Sequence, residues 1–426
     1  MEIHVVQKGD SLYSIALQYG VALSQLMADN QLPDPNRLAV GQTIVIRFPD
    51  ALYTVRSGDT LASIAQANGT TVRALLRANP GLNGREVIYP GQTLVLRYKG
   101  EKRGTLSVNG YAYPFIDQSL LRRELPYLTN LTPFSYGITS EGALVDLDDQ
   151  ALIAQAKGMG VAPLMHLSTL TEEGGFSNEL AHVVLNDRNV QDRLVENIKS
   201  QIKDRGYTGL DVDFEYVFPQ DAAPYAAFID RLRRELNPLG YQVIVALAPK
   251  TSRTQRGLLY EGHDYQALGQ AANQLLLMTY EWGYTYSEPM AVAPLPNVRR
   301  VVEFALGEIP AQKLWLGIPN YGYDWTLPYV QGESRARSIS NQYAVQLAVR
   351  YNAAIQYDTT AQTPWFNYWD EEGKEHEVWF EDARSIQAKL ALIPEYGLYG
   401  AGYWNLMRPF PQNWLILDSE YTIREG

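Results

Sequence analysis

Residues 207–217 read YTGLDVDFEYV, and three acids, Asp211, Asp213 and Glu215, stand at alternate positions of an otherwise apolar run. Side chains on a strand alternate between faces, so the acids share one face while Leu210, Val212, Phe214 and Tyr216 take the other. Stacked like charges cost energy unless one of them is protonated or the row does chemistry. A carboxyl kept protonated by acidic neighbours can act as a general acid. The alternative is a solvated row on the open face of an antiparallel sheet. Against it stand the bulky apolar residues opposite, Gly209 at the start of the run and helix-like segments before and after, the setting of a parallel strand covered on both sides.

Such a strand needs companions, and the chain after residue 104 supplies them. Strand-like runs occupy 105–113, 132–138, 161–169, 209–217, 241–249, 274–282, 313–322 and 398–406, with helical patterns such as 148–158 and 190–206 between several of them. Eight strands alternating with helices favour a (β/α)8 barrel, an α/β fold, over an open doubly wound sheet, and no Gly-rich dinucleotide turn follows the first strand. Residues 323–380, rich in Tyr, Trp and acids, interrupt the pattern and predict an inserted α+β lobe before the last helix, one wall of a cleft. In a barrel of this type the chemistry gathers at the carboxyl ends of the strands. Glu215 is then nearest the mouth, with Asp213 and Asp211 in successively deeper layers. Tyr280, Glu281, Tyr321 and Trp404 end other strands, and with Tyr216 and Trp282 they form a candidate sugar-binding set.

Composition narrows the partners. The chain has 426 residues, enough for two or three domains, and a net charge of −11. That charge argues against nucleic acid or an anionic membrane surface as partner. No apolar run approaches the roughly 20 residues that span a bilayer. The 29 tyrosines and 8 tryptophans suit stacking on sugar rings. With no cysteine and five scattered histidines, neither a disulfide frame nor a metal site is expected, and no cofactor is called for. The amino-terminal MEIHVVQKGD lacks the basic and apolar regions of a secretory signal. Nothing in the sequence sets the oligomeric state.

The first hundred residues hold an internal repeat. HVVQKGDSL at residue 4 and YTVRSGDTL at residue 53 align at an offset of 49, and VGQTIVIR and PGQTLVLR at an offset of 50. Each copy reads strand, Gly-Asp-Ser/Thr cap, two helices, Gly turn, strand, which gives modules at 1–48 and 51–98 and a charged linker at 99–104. Residues 1–98 carry eight Lys/Arg against seven Asp/Glu, so the acidity belongs to the second part.

The repeat resembles the LysM module, a βααβ unit of N-acetylglucosamine-binding proteins. The resemblance implies sugar contacts at Gly9, Asp10 and Ser11 in the first copy and at Gly58, Asp59, Thr60, Asn79 and Pro80 in the second. Those residues also serve the turn and the helix cap. The later part resembles family 18 glycoside hydrolases, whose DxDxE is DVDFE here, whose sixth-strand Met-x-Tyr is Met278 and Tyr280, and whose eighth-strand tryptophan is Trp404. Two positions depart from the chitinase form, Thr208 for a leading Asp and Glu281 for the Asp after the tyrosine, which turns the expectation away from chitin. The whole chain is similar to spore cortex-lytic N-acetylglucosaminidases. That implies retaining, substrate-assisted hydrolysis, with Glu215 as acid and base, Asp213 and Asp211 behind the acetamido group and Tyr280 on its carbonyl. The implied partner is peptidoglycan containing N-acetylglucosamine, met on the spore coat or cortex after synthesis in the mother-cell cytoplasm. A chitinase, another endo-glucosaminidase and a silent glycan-binding coat protein stay open as alternatives.

Overall fold

The protein is described here by a computed structural model covering residues 1–32, 34–171 and 175–426. The first module runs strand Glu2–Val5, helices Leu12–Tyr19 and Leu23–Asn30, strand Thr43–Ile46, and its two strands pair antiparallel. Ser11 caps the first helix in a reciprocal pair with Ser14, the kind of cap worth about 1 kcal/mol, and puts Leu12, Ile15 and Ala16 inside. The second module repeats this with strands Pro49–Thr54 and Thr93–Tyr98, helices Leu61–Ala67 and Val72–Ala78, and Thr60 and Ser63 as the cap. In both, a buried asparagine at the end of the second helix ties helix to strand. The Asn30 amide bonds Leu26 O, Val45 O and Val45 N, and that of Asn79 bonds Leu75 O, Val95 O and Val95 N.

Residues 99–104 occupy the position of a linker, yet they are tied down. Lys99 N donates to Phe48 O, the Lys102 amine to Asp418 O and Arg103 N to Glu420 O. Composition signals a boundary, but it is tertiary contacts that remove the freedom. Both modules are docked on the barrel. Buried Arg47, paired with Asp29 at 2.7 Å inside the first module, reaches Asp418 of the final helix at 3.7 Å, and the same Asp418 takes Arg77 of the second module at 2.9 Å. Loss of one partner of the buried pair would strand a charge, at a cost of about 3–5 kcal/mol.

The barrel consists of eight parallel strands, Gly104–Ala112, Asn130–Pro133, Ala162–Ser168, Gly209–Asp213, Gln242–Leu247, Gln274–Leu277, Leu314–Pro319 and Gly400–Trp404. Each pairs with the next, and the eighth closes on the first with Gly400 opposite Ser107. That closure needs a glycine, because a Cβ at 400 would stand 2.0 Å from Ser107 O. Helices such as Arg188–Arg205, capped by Asp187, cover the outside and bury Val190, Leu194, Ile198 and Ile202. A short strand, Tyr421–Ile423, joins the first strand's amino-terminal end and has no counterpart in the eight runs read from sequence.

The expected lobe is present. Strands Gly322–Thr326, Arg337–Ile339, Gln356–Asp358, Thr363–Trp369 and Glu375–Trp379 form an antiparallel sheet backed by helix Asn341–Arg350. It opens after the seventh barrel strand and returns through helix Ala383–Tyr396 into the eighth; helix Pro411–Glu420 follows. Its core, around Leu347, Phe366 and Val378, includes Ala39 of the first module.

Candidate active site

The fourth strand pairs with the fifth through Val212 and with the third through Asp213, so Glu215 stands two residues past the last paired position, at the mouth. The reading to 217 overran the strand by four residues, since the alternation continues in a segment that has left the sheet. Asp211 is fully buried and points across the barrel to Tyr111 of the first strand, whose hydroxyl donates to Oδ2 at 2.6 Å. Burial raises its carboxyl to about 6, against the pull of that bond. Asp213 is driven well above the ordinary carboxylate range by burial, then by Glu215 and Asp211. Its Oδ1 has no hydrogen-bond partner among the described residues, and its Oδ2 lies 3.8 Å from Nε2 of His166, which burial pulls down to about 3 and so keeps neutral. Glu215, half-buried, is raised to about 7, first by burial and then by Glu281. A carboxyl poised there can give a proton near neutrality and take one back.

Tyr280 follows the sixth strand. Burial and the surrounding acids, Asp213 first, hold its hydroxyl well above its usual range, so it stays a donor, and it makes no hydrogen bond among the described residues. Glu281 has a left-handed backbone, φ 67°, which turns its carboxylate into the cleft to accept from Tyr321 at 2.5 Å and Tyr323 at 3.1 Å. Trp404, at the end of the eighth strand, packs edge-on to Phe134 at 5.0 Å. With Glu281, Tyr321 and Tyr323 it lines a cleft of about 380 Å³. An acid near neutrality, buried acids behind it, a free tyrosine hydroxyl and an aromatic wall suit cleavage of a sugar acetal.

Residues 160–408 match the Glycosyl hydrolases family 18, and residues 4–47 and 53–97 match the LysM domain. The chain belongs to glycosyl hydrolase family 18. It is 42% identical over 431 residues to the cortical fragment-lytic enzyme of Bacillus subtilis (strain 168), covering 99% of each chain, and 38% identical over 429 residues to that of Bacillus anthracis. Its structure matches that of the spore cortex-lytic enzyme SleL of Bacillus megaterium QM B1551 with a TM-score of 0.85 and 40% identity, over 100% of this chain and 99% of that one. A chitinase of Chromobacterium violaceum ATCC 12472 matches at 28% identity and a TM-score of 0.69, over 74% of this chain and 98% of its own.

In this family 18 barrel Asp211, Asp213, Glu215, Tyr280, Glu281, Tyr321 and Trp404 lie near one another. Met278 is half-buried just past the sixth strand, and Tyr216 lies beside Glu215 and near Tyr284. Trp282 packs instead against the barrel's hydrophobic core. In the modules, Gly9 and Gly58 adopt left-handed turns, Asp10 and Asp59 accept from the backbone N–H of Gln7 and Arg56, and Ser11 and Thr60 cap helices. The Asn79 amide is spent on the fold, and Pro80 opens a short helical turn beside it. Sequence reasoning missed Tyr111, His166, Tyr323 and Arg408. Tyr111 was findable, being the tyrosine at the carboxyl end of the first strand; the others carry no local signal.

Proposed function

We propose that this glycoside hydrolase cleaves N-acetylglucosaminyl bonds in spore cortex peptidoglycan during germination, by retaining, substrate-assisted catalysis. The observation that carries the reading is Glu215, raised to about 7 at the mouth of the barrel and backed by two buried acids. Full-length similarity to cortical fragment-lytic enzymes supports the choice of glycan. Protonated Glu215 gives its proton to the leaving glycosidic oxygen. The acetamido oxygen of the same N-acetylglucosamine attacks the anomeric carbon as that bond breaks, giving a cyclic oxazolinium. Asp213, whose Oδ1 is unspent, holds the acetamido N–H and balances the positive charge, with Asp211 as its proton partner. The Tyr280 hydroxyl positions the attacking oxygen, and Trp404 takes the sugar face. Glu215, now ionised, removes a proton from water as it opens the ring, which returns the acetamide and retains the configuration. The LysM modules hold the enzyme on the glycan.

Borohydride reduction and mass spectrometry of digested cortex fragments test this. Reduced N-acetylglucosamine is expected as the main new end, with the anomeric configuration retained in the proton spectrum of the first product. Reduced muramic acid or an inverted first product would overturn the proposal. Binding without turnover would restore the silent coat-protein alternative.

A further inference from the structure

Acids dominate this site, yet one cation lines the same cleft. Among the described lining residues, Arg408, four residues beyond Trp404, is the positively charged one. Its Nη1 donates to Ser338 Oγ at 2.9 Å and its Nη2 to Ser338 O at 3.3 Å, which orients the guanidinium but neutralises nothing. A guanidinium has five N–H donors, so three are left over. No carboxylate lies within 4.0 Å of Arg408 among the described residues; its neighbours are the neutral hydroxyls of Tyr323 and Tyr321 and the exposed Arg337, a second cation. Burial pulls the Arg408 guanidinium below its ordinary value while leaving it charged. A half-buried cation without a counterion is costly unless a ligand supplies the anion, and the planar fork of arginine matches a carboxylate.

We infer that Arg408 is the substrate-specificity residue of this site, binding a carboxylate carried by a sugar next to the bond that is cut. The inference rests on the peptidoglycan reading above. N-acetylglucosamine is neutral, but the sugar that alternates with it bears a 3-O-lactyl group, ending either in a free carboxylate or in a peptide with its own carboxylate. The Glu281 carboxylate would repel such a group, and among the described residues lining the cleft Arg408 is the one that attracts it. Tyr323 stands between the two, donating to Glu281 and facing Arg408. Chitin has no carboxylate to offer, and a lactam ring has consumed it, so Arg408 separates these glycans by charge.

The test uses the full chain and matched glycan fragments whose carboxylates are either free or converted to the primary amide, in one series with bare lactyl groups and one with peptide stems. The readout is the ratio of kcat/KM for acid over amide. Wild type is expected to prefer the acid by about tenfold to a hundredfold in at least one series, the range for a charge-assisted hydrogen-bonded pair. Arg408→Gln should bring that ratio close to one, and Arg408→Lys should recover part of it, with unchanged melting temperatures as the folding control. The series that responds identifies the carboxylate. Equal ratios in wild type and Arg408→Gln, or no preference in wild type, would overturn the inference. Failure of wild type to cut any fragment would instead sink the peptidoglycan reading, and this inference with it.

Discussion

Asp10 and Asp59 sit in the turns before the first helix of each module, Asp213 and Glu215 at the barrel mouth, and the same functional group is driven in opposite directions in the two places. The module acids are pulled below their ordinary range, first by backbone N–H groups at 2.7 Å and then by His4 or Tyr53. The barrel acids are pushed up by burial and by one another, with no such donors. A carboxylate met by donors is a finished structural joint, whereas one denied them holds a proton it can give away. Burial alone does not make a site. Glu124 is also buried and raised, but it neighbours Trp414 and no acid, away from the cleft.

The sharpest break of that contrast is Glu215→Gln. The amide keeps the shape without the proton, and turnover should fall by about 10²- to 10⁴-fold with glycan binding nearly intact. Activity within about tenfold of wild type would end the assignment. The same variant should show the strain stored in the site. A carboxyl raised from 4.5 to about 7 on folding binds more protons in the native state, so its contribution to stability is highest below about pH 4.5 and declines as pH rises through 7. Glu215→Gln should therefore be the more stable protein at about pH 8, by an amount on the order of 2 kcal/mol, and lose that advantage in acid, as denaturant melts would record.

Glu281→Gln is the next step down. It removes the charge that helps Glu215 keep its proton, so the basic limb of the kcat/KM profile should move to lower pH. A limb that stays put would show that burial alone does the raising.

A second contrast lies between the modules. Ala39 of the first is buried against the lobe, Ile355 N donates to Val40 O at 2.8 Å, and a Cβ at Gly41 would strike Ile355 O. The equivalent Tyr89 of the second is 68% exposed, and nothing lies near Gly91. Tyr89→Ala should weaken pelleting with insoluble peptidoglycan several-fold, because the open module and the catalytic cleft, two weak grips on one chain, reinforce each other. Ala39→Glu should instead lower the melting temperature, by forcing a charge into the lobe contact. Equal pelleting losses for the two would erase the distinction. Smallest of all, Asp59→Asn should leave turnover of small fragments within about twofold of wild type, since losing a turn acceptor far from the cleft changes no transition-state contact.

These outcomes bear on how far the sequence could be read. The eight strands and the alternation of Asp211, Asp213 and Glu215 are local patterns, and both are legible. The end of the fourth strand is not, because alternation outlasts the hydrogen-bond ladder. The partnership of Tyr111 with Asp211 spans a hundred residues and depends on barrel closure. Trp282 follows a site residue in sequence, but the turn there sends it into the core. The docking of Ala39 and Gly41 on the lobe and the anchoring of residues 99–104 rest on shapes that meet only in the folded molecule.

The most direct measurement compares hydrolysis of one glycan fragment in its N-acetylated form and after de-N-acetylation. If the acetamide is the nucleophile, with Asp213, Glu215 and Tyr280 serving it, the N-acetylated fragment is cut and the free-amine form resists by about a thousandfold or more while still binding. Comparable cleavage of the two would contradict the mechanism.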